Sequence, residues 1–147
     1  MWIKQTVEKL CRHYKTNDPF ELAQCMGAMI LFEQLGTVRG YYCRSYKQKV
    51  IHINVDENRE QQAITCAHEL GHSILHPNAN TPYLRANTLY SIDKLEVEAN
   101  RFMVQLLIPD FEMAEYFLNE YTRSQIAKIR GIPEYLIDYR MQTMNIK

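Results

Sequence analysis

The alternation of apolar and polar residues along the chain predicts a mainly helical protein with one small sheet. Apolar residues recur at helical spacing over most of its length. Helices are predicted over residues 1–15, 18–34, 58–76, 92–107, 123–130 and 134–144. Two short runs, 37–43 and 49–55, are instead rich in β-branched and aromatic residues, and the second alternates apolar with polar positions. A polar loop joins these runs, which predicts a small antiparallel sheet and an α+β fold.

Local signals mark the ends of several predicted helices. Asp18 stands before Pro19 as an N-cap, and Gly36 follows the end of the same predicted helix. Thr122 is placed to cap the helix near the C terminus, and Gly131-Ile132-Pro133 breaks the chain before the last helix. Two short helices across a glycine-containing turn resemble a helix-turn-helix.

The predicted helix 58–76 contains a motif with its own chemistry, His68-Glu69-Leu70-Gly71-His72. Residues four apart lie on one face of a helix, so both imidazoles can reach one cation. Glu69 lies about 100° round the helix from His68, close enough to act as a general base beside that cation. This is the HExxH pattern of zinc hydrolases. It predicts His68 and His72 as zinc ligands and Glu69 as the catalytic residue, whereas the alternative is a buried structural histidine pair.

A catalytic zinc ion usually takes three protein ligands. His76 continues the histidine face, but at about 1.5 Å per residue it lies too far from His68 to share one ion with both histidines. It is therefore predicted to end the helix or to support a ligand. The next predicted helix offers Glu96 and Glu98, which point in nearly opposite directions. Glu96 is predicted as the third ligand, because Asn100 one turn later could support a zinc-bound histidine; Glu98 is the alternative.

These motifs and the segments after them carry a resemblance to a known family. The first motif continues as Ile74-Leu75-His76-Pro77, and the next helix reads Glu96-Val97-Glu98-Ala99-Asn100-Arg101-Phe102 and ends Leu106-Leu107-Ile108-Pro109. From about residue 50 to 109 the sequence is similar to the ImmA/IrrE family of metallo-endopeptidases, with mild departures at Met103 and Ile108. The resemblance implies a zincin-like, Zn2+-dependent protease that cuts a helix-turn-helix repressor and so derepresses a phage, a mobile element or a stress regulon.

Two further features bear on how a protein substrate would bind. An edge strand can hold an extended peptide through backbone hydrogen bonds, although many sheet edges serve no such purpose. The connection 77–91 is longer than usual for a compact domain, which fits a lid or an unstructured flap equally. Its Tyr83 and Tyr90 could donate to an oxyanion. Their roles stay open, because the chain has ten tyrosines.

Composition indicates a single intracellular domain spanning 1–147, with a zinc core of about 35–109 and a C-terminal helical subregion of about 110–147. The four cysteines include no Cys-x-x-Cys pair, so reduced and mostly buried thiols are expected. The first residues lack the pattern of a signal peptide, and no apolar run is long enough to span a bilayer. A cytoplasmic protein with no membrane partner is therefore expected.

The distribution of charged residues indicates whether the binding partner is nucleic acid or protein. The chain has 17 basic and 17 acidic residues, and from 122 to 147 five basic residues face two acidic ones. This excess is too small for a phosphate-binding surface. The C-terminal pair is thus expected to pack on the rest of the chain, and direct nucleic-acid binding is not expected. The family resemblance implies that this pair helps hold or recognise the protein target. The competing interpretation is a non-catalytic, metal-containing regulator that binds a repressor or DNA.

Overall fold

The computed structural model describes residues 2–79 and 89–144. In that part of the chain, seven α-helices surround one three-stranded sheet. The elements are α1 (Trp2–Tyr14), α2 (Pro19–Cys25), β1 (Met29–Glu33), β2 (Gly40–Ser45), β3 (Gln48–Asn54), α3 (Arg59–Leu75), α4 (Leu89–Leu107), α5 (Asp110–Leu118), α6 (Arg123–Arg130) and α7 (Glu134–Thr143). No helix within the described ranges is long and apolar enough to cross a membrane. The predicted mainly helical α+β class is confirmed.

The sheet has the strand order β1-β3-β2. β2 and β3 form the predicted antiparallel pair, with Gly40 opposite Ile53. β1 adds a third strand on the other side of β3, parallel to it, with Met29 beside Val50. The sheet is therefore mixed, and both β1 and β2 are edge strands.

The predicted helix 18–34 is wrong beyond Cys25. Its beginning is as expected, because the Asp18 carboxylate accepts a hydrogen bond from the backbone N–H of Phe20 at 2.8 Å. The helix ends before Gly27, which has a φ of +82°, a conformation that glycine adopts without steric cost. The apolar run after it satisfies its backbone by pairing with β3, a long-range partner that periodicity does not reveal.

α3 is the centre of the fold, since it packs against α2, both strands of the hairpin and α4. The inner face of the sheet contributes Tyr42, Ile51 and Ile53, each fully buried. Leu70 of α3 and Phe102 of α4 belong to the same core. A helix held on both sides in this way is a rigid support for functional side chains.

The C-terminal helices join this core, as expected. Thr122 and Gln125 form a reciprocal capping box at the start of α6, and Gly131 ends the helix with a φ of 64°. Apolar residues of the pair are buried in the common core, namely Ile126, Ala127, Ile132, Leu136 and Ile137. α7 packs against α4, which carries part of the site described below.

The cysteines differ from expectation in their burial. All four are free thiols, but Cys66 alone is buried, Cys11 and Cys43 are half-buried and Cys25 is exposed. Burial raises the pKa of Cys66 to about 12. Cys25 is the last residue of α2.

Candidate metal centre

α3 carries the first two candidate ligands on one face. The helix begins where the Asn58 side chain accepts from the Gln61 backbone N–H at 2.9 Å, and its last hydrogen bond runs from the His76 N–H to the His72 carbonyl at 2.8 Å. The His68 and His72 rings are 4.9 Å apart between centroids and nearly perpendicular. Both imidazoles therefore point toward the same space.

Gly71 permits α4 to approach this part of α3. A Cβ atom on Gly71 would lie 3.0 Å from the Phe102 Cβ and 3.2 Å from the Ala99 carbonyl oxygen, so α4 would have to shift by a few tenths of an ångström to admit it. The approach brings Glu96, three residues before Ala99, to the imidazoles. Sequence reasoning missed this role, although a glycine within a helix costs about 1 kcal/mol relative to alanine and is itself a signal of close packing.

Glu96 bridges the two histidines. Its two carboxylate oxygens lie 3.0 Å from His68 Nε2 and 3.0 Å from His72 Nε2. Burial acts to raise the pKa of Glu96, but hydrogen bonds with both histidines and their charges outweigh it and hold that pKa far below its usual range. The carboxylate is therefore ionised at any physiological pH, as a metal ligand must be.

The three side chains fit a metal ion. Donor atoms of His68, His72 and Glu96 all lie within 4.8 Å of one another, and within the described residues this is the single group of three or more His, Cys, Asp or Glu side chains so placed. Two imidazole nitrogens and one carboxylate oxygen are a donor set of catalytic zinc sites, which keep one further position open. The arrangement can hold a divalent cation and leave it accessible.

Glu98 and His76 form a second contact behind this group. The Glu98 carboxylate lies 3.5 Å from His76 Nε2. The structure therefore brings Glu96, and not Glu98, to His68 and His72. His76 Nδ1 lies 3.2 Å from His72 Nδ1. Burial, and then the charge of His72, lowers the pKa of His76, so a neutral His76 can accept a proton donated by the His72 ring.

His76 thus has both expected roles, since it ends α3 and supports a candidate ligand. The second ring nitrogen of His72 meets His76, so Asn100 is not the partner of His72. A hydrogen bond between Asn100 and His68 stays a prediction. Asn100 lines a cleft beside the group. Helical geometry correctly placed Asn100 on the face of α4 that lies beside the candidate ligands.

A cleft of about 470 Å³ opens beside the candidate ligands. Its walls come from the segment before β2, from α3, from α4 and from the turn between α6 and α7. They are formed by Thr37, Val38, Arg39, Gly40, Ile64, Thr65, His68, Glu69, Asn100, Met103, Gly131, Pro133, Tyr135 and Leu136. Glu69 is 2% exposed, so a carboxylate with little access to bulk water faces this space. The C-terminal pair was expected to help hold a protein target, but the position of its turn in the wall of this cleft was not predicted, because nothing in the local sequence indicates it.

Gly40 sets the width of the cleft where β2 begins. A Cβ atom there would lie 2.5 Å from both the His52 carbonyl oxygen and the Thr65 Cγ2, so any other residue would push β2 away from α3. β2 is an edge strand that starts at the cleft. Docking of an extended peptide along it stays a prediction.

Only one of the two tyrosines of the predicted long connection, Tyr90, lies among the described residues. Tyr83 lies outside the described residues. α4 begins at Leu89, three residues earlier than predicted, so the backbone of Tyr90 belongs to its first turn and not to a loop.

Comparison with known proteins agrees with this geometry. The model of the family Peptidase_M78, the IrrE N-terminal-like domain, matches residues 23–142. The chain is 42% identical to "Uncharacterized immunity region protein 2" of Bacillus phage phi105 over 135 residues, covering 91% of this chain and 85% of the relative. It is 31% identical to "Metallopeptidase ImmA" of Bacillus subtilis (strain 168) over 143 residues, covering 95% and 83%.

A solved structure shares the fold. A "Mycobacterium tuberculosis transcriptional regulator" superposes with a TM-score of 0.63 at 14% identity, and the match covers 98% of this chain but 47% of that one. This chain therefore spans about half the length of that protein.

The fold, the matched family model and the three converging side chains define the class, that of the metallopeptidases. Within that class, the chain belongs to the ImmA/IrrE family.

Proposed function

We propose that this protein is a zinc-dependent endopeptidase that cleaves a helix-turn-helix transcriptional repressor. The observation that carries the proposal is the convergence of His68, His72 and Glu96 next to the buried Glu69, beside a cleft of about 470 Å³. Membership of a metallopeptidase family supports the reaction class.

His68, His72 and Glu96 would hold the zinc ion, and His76 would fix the orientation of the His72 ring. Bound zinc supplies Lewis-acid chemistry, which polarises a scissile carbonyl and makes water acidic enough to attack it near neutral pH. A proton on His72 Nδ1, donated to His76, leaves His72 Nε2 with a lone pair directed at the site. Glu96 contributes the one negative charge among the three proposed ligands.

Glu69 would act as the general base. Its carboxylate faces the cleft next to His68 on the same helix. It would take the proton of the attacking water and then donate that proton to the amine that leaves when the peptide bond breaks. Poor access to bulk water favours this role, because charge interactions are stronger where the surroundings are less polar.

The proposed substrate is a transcriptional repressor. A relative whose name places it in a phage immunity region supports a role in controlling a repressor, and a helix-turn-helix repressor is the target that the family resemblance implies. Repressors act on DNA inside the cell, so the proposal places the enzyme in the cytoplasm. The peptide to be cut must be extended to enter the cleft, which favours a flexible or transiently opened segment of the repressor.

Metal content tests the ligands. The purified protein should hold close to one zinc ion per chain when measured by elemental analysis. His68→Ala, His72→Ala and Glu96→Gln should lose most of it, because each removes one of three donors. Glu98→Gln is the matched control and should keep the metal. Loss of zinc from Glu98→Gln together with retention by Glu96→Gln would show that the wrong carboxylate was chosen.

Glu69→Gln tests the reaction. The amide keeps the shape of the side chain but cannot accept the proton, so zinc content and melting temperature should persist while repressor cleavage falls by about 10² or more. Glu60→Gln makes the same change at an exposed position of α3 and should cleave like the parent. Undiminished cleavage by Glu69→Gln would exclude this mechanism. Repressor binding without cleavage by parent and variant alike would favour the non-catalytic regulator.

A further inference from the structure

A second group of reactive side chains lies on the sheet, apart from the candidate metal centre. β3 directs Ile51 and Ile53 into the core, so His52 between them lies on the opposite face. Strand pairing places Tyr41 of β2 beside His52 on one side. Leu31 of β1 lies beside it on the other.

Side chains from all three strands meet in this cluster. His52 Nδ1 contacts the Glu33 carboxylate of β1. His52 Nε2 lies 3.4 Å from the Cys43 Sγ of β2. The Tyr41 ring stacks on the His52 ring at 4.2 Å between centroids, with an angle of 13° between the planes. The imidazole is therefore held between a carboxylate and a thiol, and its orientation is fixed by stacking.

The contacts determine which way the protons point. An ionised carboxylate only accepts hydrogen bonds, so His52 Nδ1 carries a hydrogen and donates it to Glu33. The neutral ring then has a lone pair on Nε2, and the Cys43 thiol is the donor to it. A nucleophile hydrogen-bonded to a base that a third group orients is the arrangement of an activated cysteine.

The immediate surroundings of Cys43 disfavour its thiolate form. Burial, and then the charge of Glu33, raises the pKa of Cys43. Reactivity at neutral pH therefore depends on transfer of the thiol proton to His52, with Glu33 compensating the imidazolium charge. The side chain of His52 is 13% exposed and that of Glu33 is 43% exposed, and Cys43 is half-buried, so the cluster lies at the protein surface and not in the core.

We propose that Cys43, with His52 as its base and Glu33 as the positioning residue, is a site of reversible modification by small-molecule disulfides. This site is independent of the proposed peptidase reaction and of its metal.

The exchange balances without a further reactant. Cys43 gives its proton to His52 Nε2 and attacks one sulfur of a disulfide R–S–S–R. A bond forms between Cys43 Sγ and that sulfur, and the original S–S bond breaks. The departing thiolate takes the proton from His52 and leaves as R–SH. A reducing thiol reverses the reaction.

The test compares two cysteines in the same intact chain. The protein is mixed with glutathione disulfide at pH 7, and the mixed disulfide at each cysteine is followed by peptide mass spectrometry. Exposed Cys25 is the internal reference. Because an ordinary cysteine is only a few per cent thiolate near pH 7, Cys43 should react about tenfold faster than Cys25 despite its greater burial. Slower reaction of Cys43 than of Cys25 would overturn the proposal.

Variants assign the roles. His52→Asn should bring the Cys43 rate below that of Cys25, and His52→Gln repeats the test should the first variant fold poorly. Glu33→Gln should slow Cys43 several-fold and move the midpoint of its pH profile upward. Among the described residues, the titratable groups of the cluster besides Cys43 are Glu33, His52 and Tyr41. Tyr46→Phe, at an exposed position between β2 and β3, is the control and should change neither quantity. An unchanged ratio of Cys43 to Cys25 rates in folded His52→Asn would show that His52 is not the base.

Discussion

At the scale of single residues, the candidate metal centre depends on small side chains as much as on ligands. Gly71 and Ala99 let α3 and α4 approach closely, and that approach carries Glu96 to both imidazoles. Neither small residue has any chemistry of its own. They determine the distance between α3 and α4, the helices that carry the three candidate ligands.

Gly71→Ala tests this dependence. In a solvent-exposed helix, alanine would stabilise by about 1 kcal/mol relative to glycine. Here the new methyl group would meet Phe102 and Ala99 at 3.0–3.2 Å, so we expect destabilisation of about 1–3 kcal/mol instead. We also expect weaker zinc binding, because Glu96 would move from the histidines. Urea denaturation and zinc titration measure both effects.

The control for this variant is Gln61→Ala, an exposed position on the same helix, which should change neither quantity. A Gly71→Ala protein that is more stable than its parent would show that the two helices are not in tight contact.

At the scale of secondary-structure elements, a buried arginine joins both ends of the chain. Arg140 of α7 is fully buried. Its guanidinium donates to the Ile108 carbonyl at 2.7 Å and to the Asp110 carboxylate at 2.6 Å. Lys4 of α1 lies 2.8 Å from the other oxygen of Asp110. One carboxylate at the start of α5 thus links α1 to α7.

This link predicts a pH-dependent contribution to stability. Burial acts to raise the pKa of Asp110, but hydrogen bonds from Lys4 and Arg140 outweigh it and lower that pKa. A group whose pKa is lower in the folded state stabilises the protein above its unfolded pKa, about 3.9 for aspartate, and loses this contribution as the pH falls through the folded value.

Asp110→Asn should therefore lower the free energy of unfolding at pH 7 by about 1–3 kcal/mol, a range that allows for the partial exposure of Asp110. The difference from the parent should shrink as the pH falls below about 4. Chemical denaturation across pH measures it. Asp138→Asn, which breaks a pair with Arg123 at the surface, is the control and should have little effect. A difference that stayed constant down to pH 2 would contradict the ionic origin.

At the scale of the whole molecule, the cleft is built from distant parts of the chain. Residues before β2 form one wall, and the turn between α6 and α7 forms another. The C-terminal helices therefore belong to the candidate site as well as to the core. Three of their cations pair with carboxylates of the same chain: Arg123 with Glu134, Arg130 with Glu112 and Arg140 with Asp110. These pairs reduce the positive charge that the three side chains could offer to a phosphate.

Tyr135→Ala tests the role of the C-terminal wall in substrate binding. The side chain lines the cleft and is 57% exposed, so its removal should cost little folding stability. We expect the KM for repressor cleavage to rise by about 3–10-fold with kcat retained, as when an interaction common to ground state and transition state is lost. Tyr121→Ala, at an exposed position outside the cleft, should leave KM unchanged. Equal kinetics for the two variants would exclude Tyr135 from the substrate surface.

Much of this molecule was determined locally and could be predicted from the sequence. Helical periodicity, together with caps such as Asp18 and Thr122, defined most of the helices, because those signals depend on neighbouring residues alone. The HExxH spacing predicted that His68 and His72 would share one face of a helix. Two residues turn a helix by about 200°, which showed that Glu96 and Glu98 could not serve the same site.

Tertiary structure decided everything that required a partner distant in sequence. β1 is a strand because β3 offers it backbone hydrogen bonds, although its residues fit a helical pattern too. Glu96 of α4 reaches His68 and His72 of α3, and the C-terminal turn lines the cleft beside Glu69. The contact of Glu33, His52 and Cys43 exists only because three strands pair in one register. Periodicity reports which face of an element a residue occupies, but which two faces meet depends on packing among residues far apart in the chain.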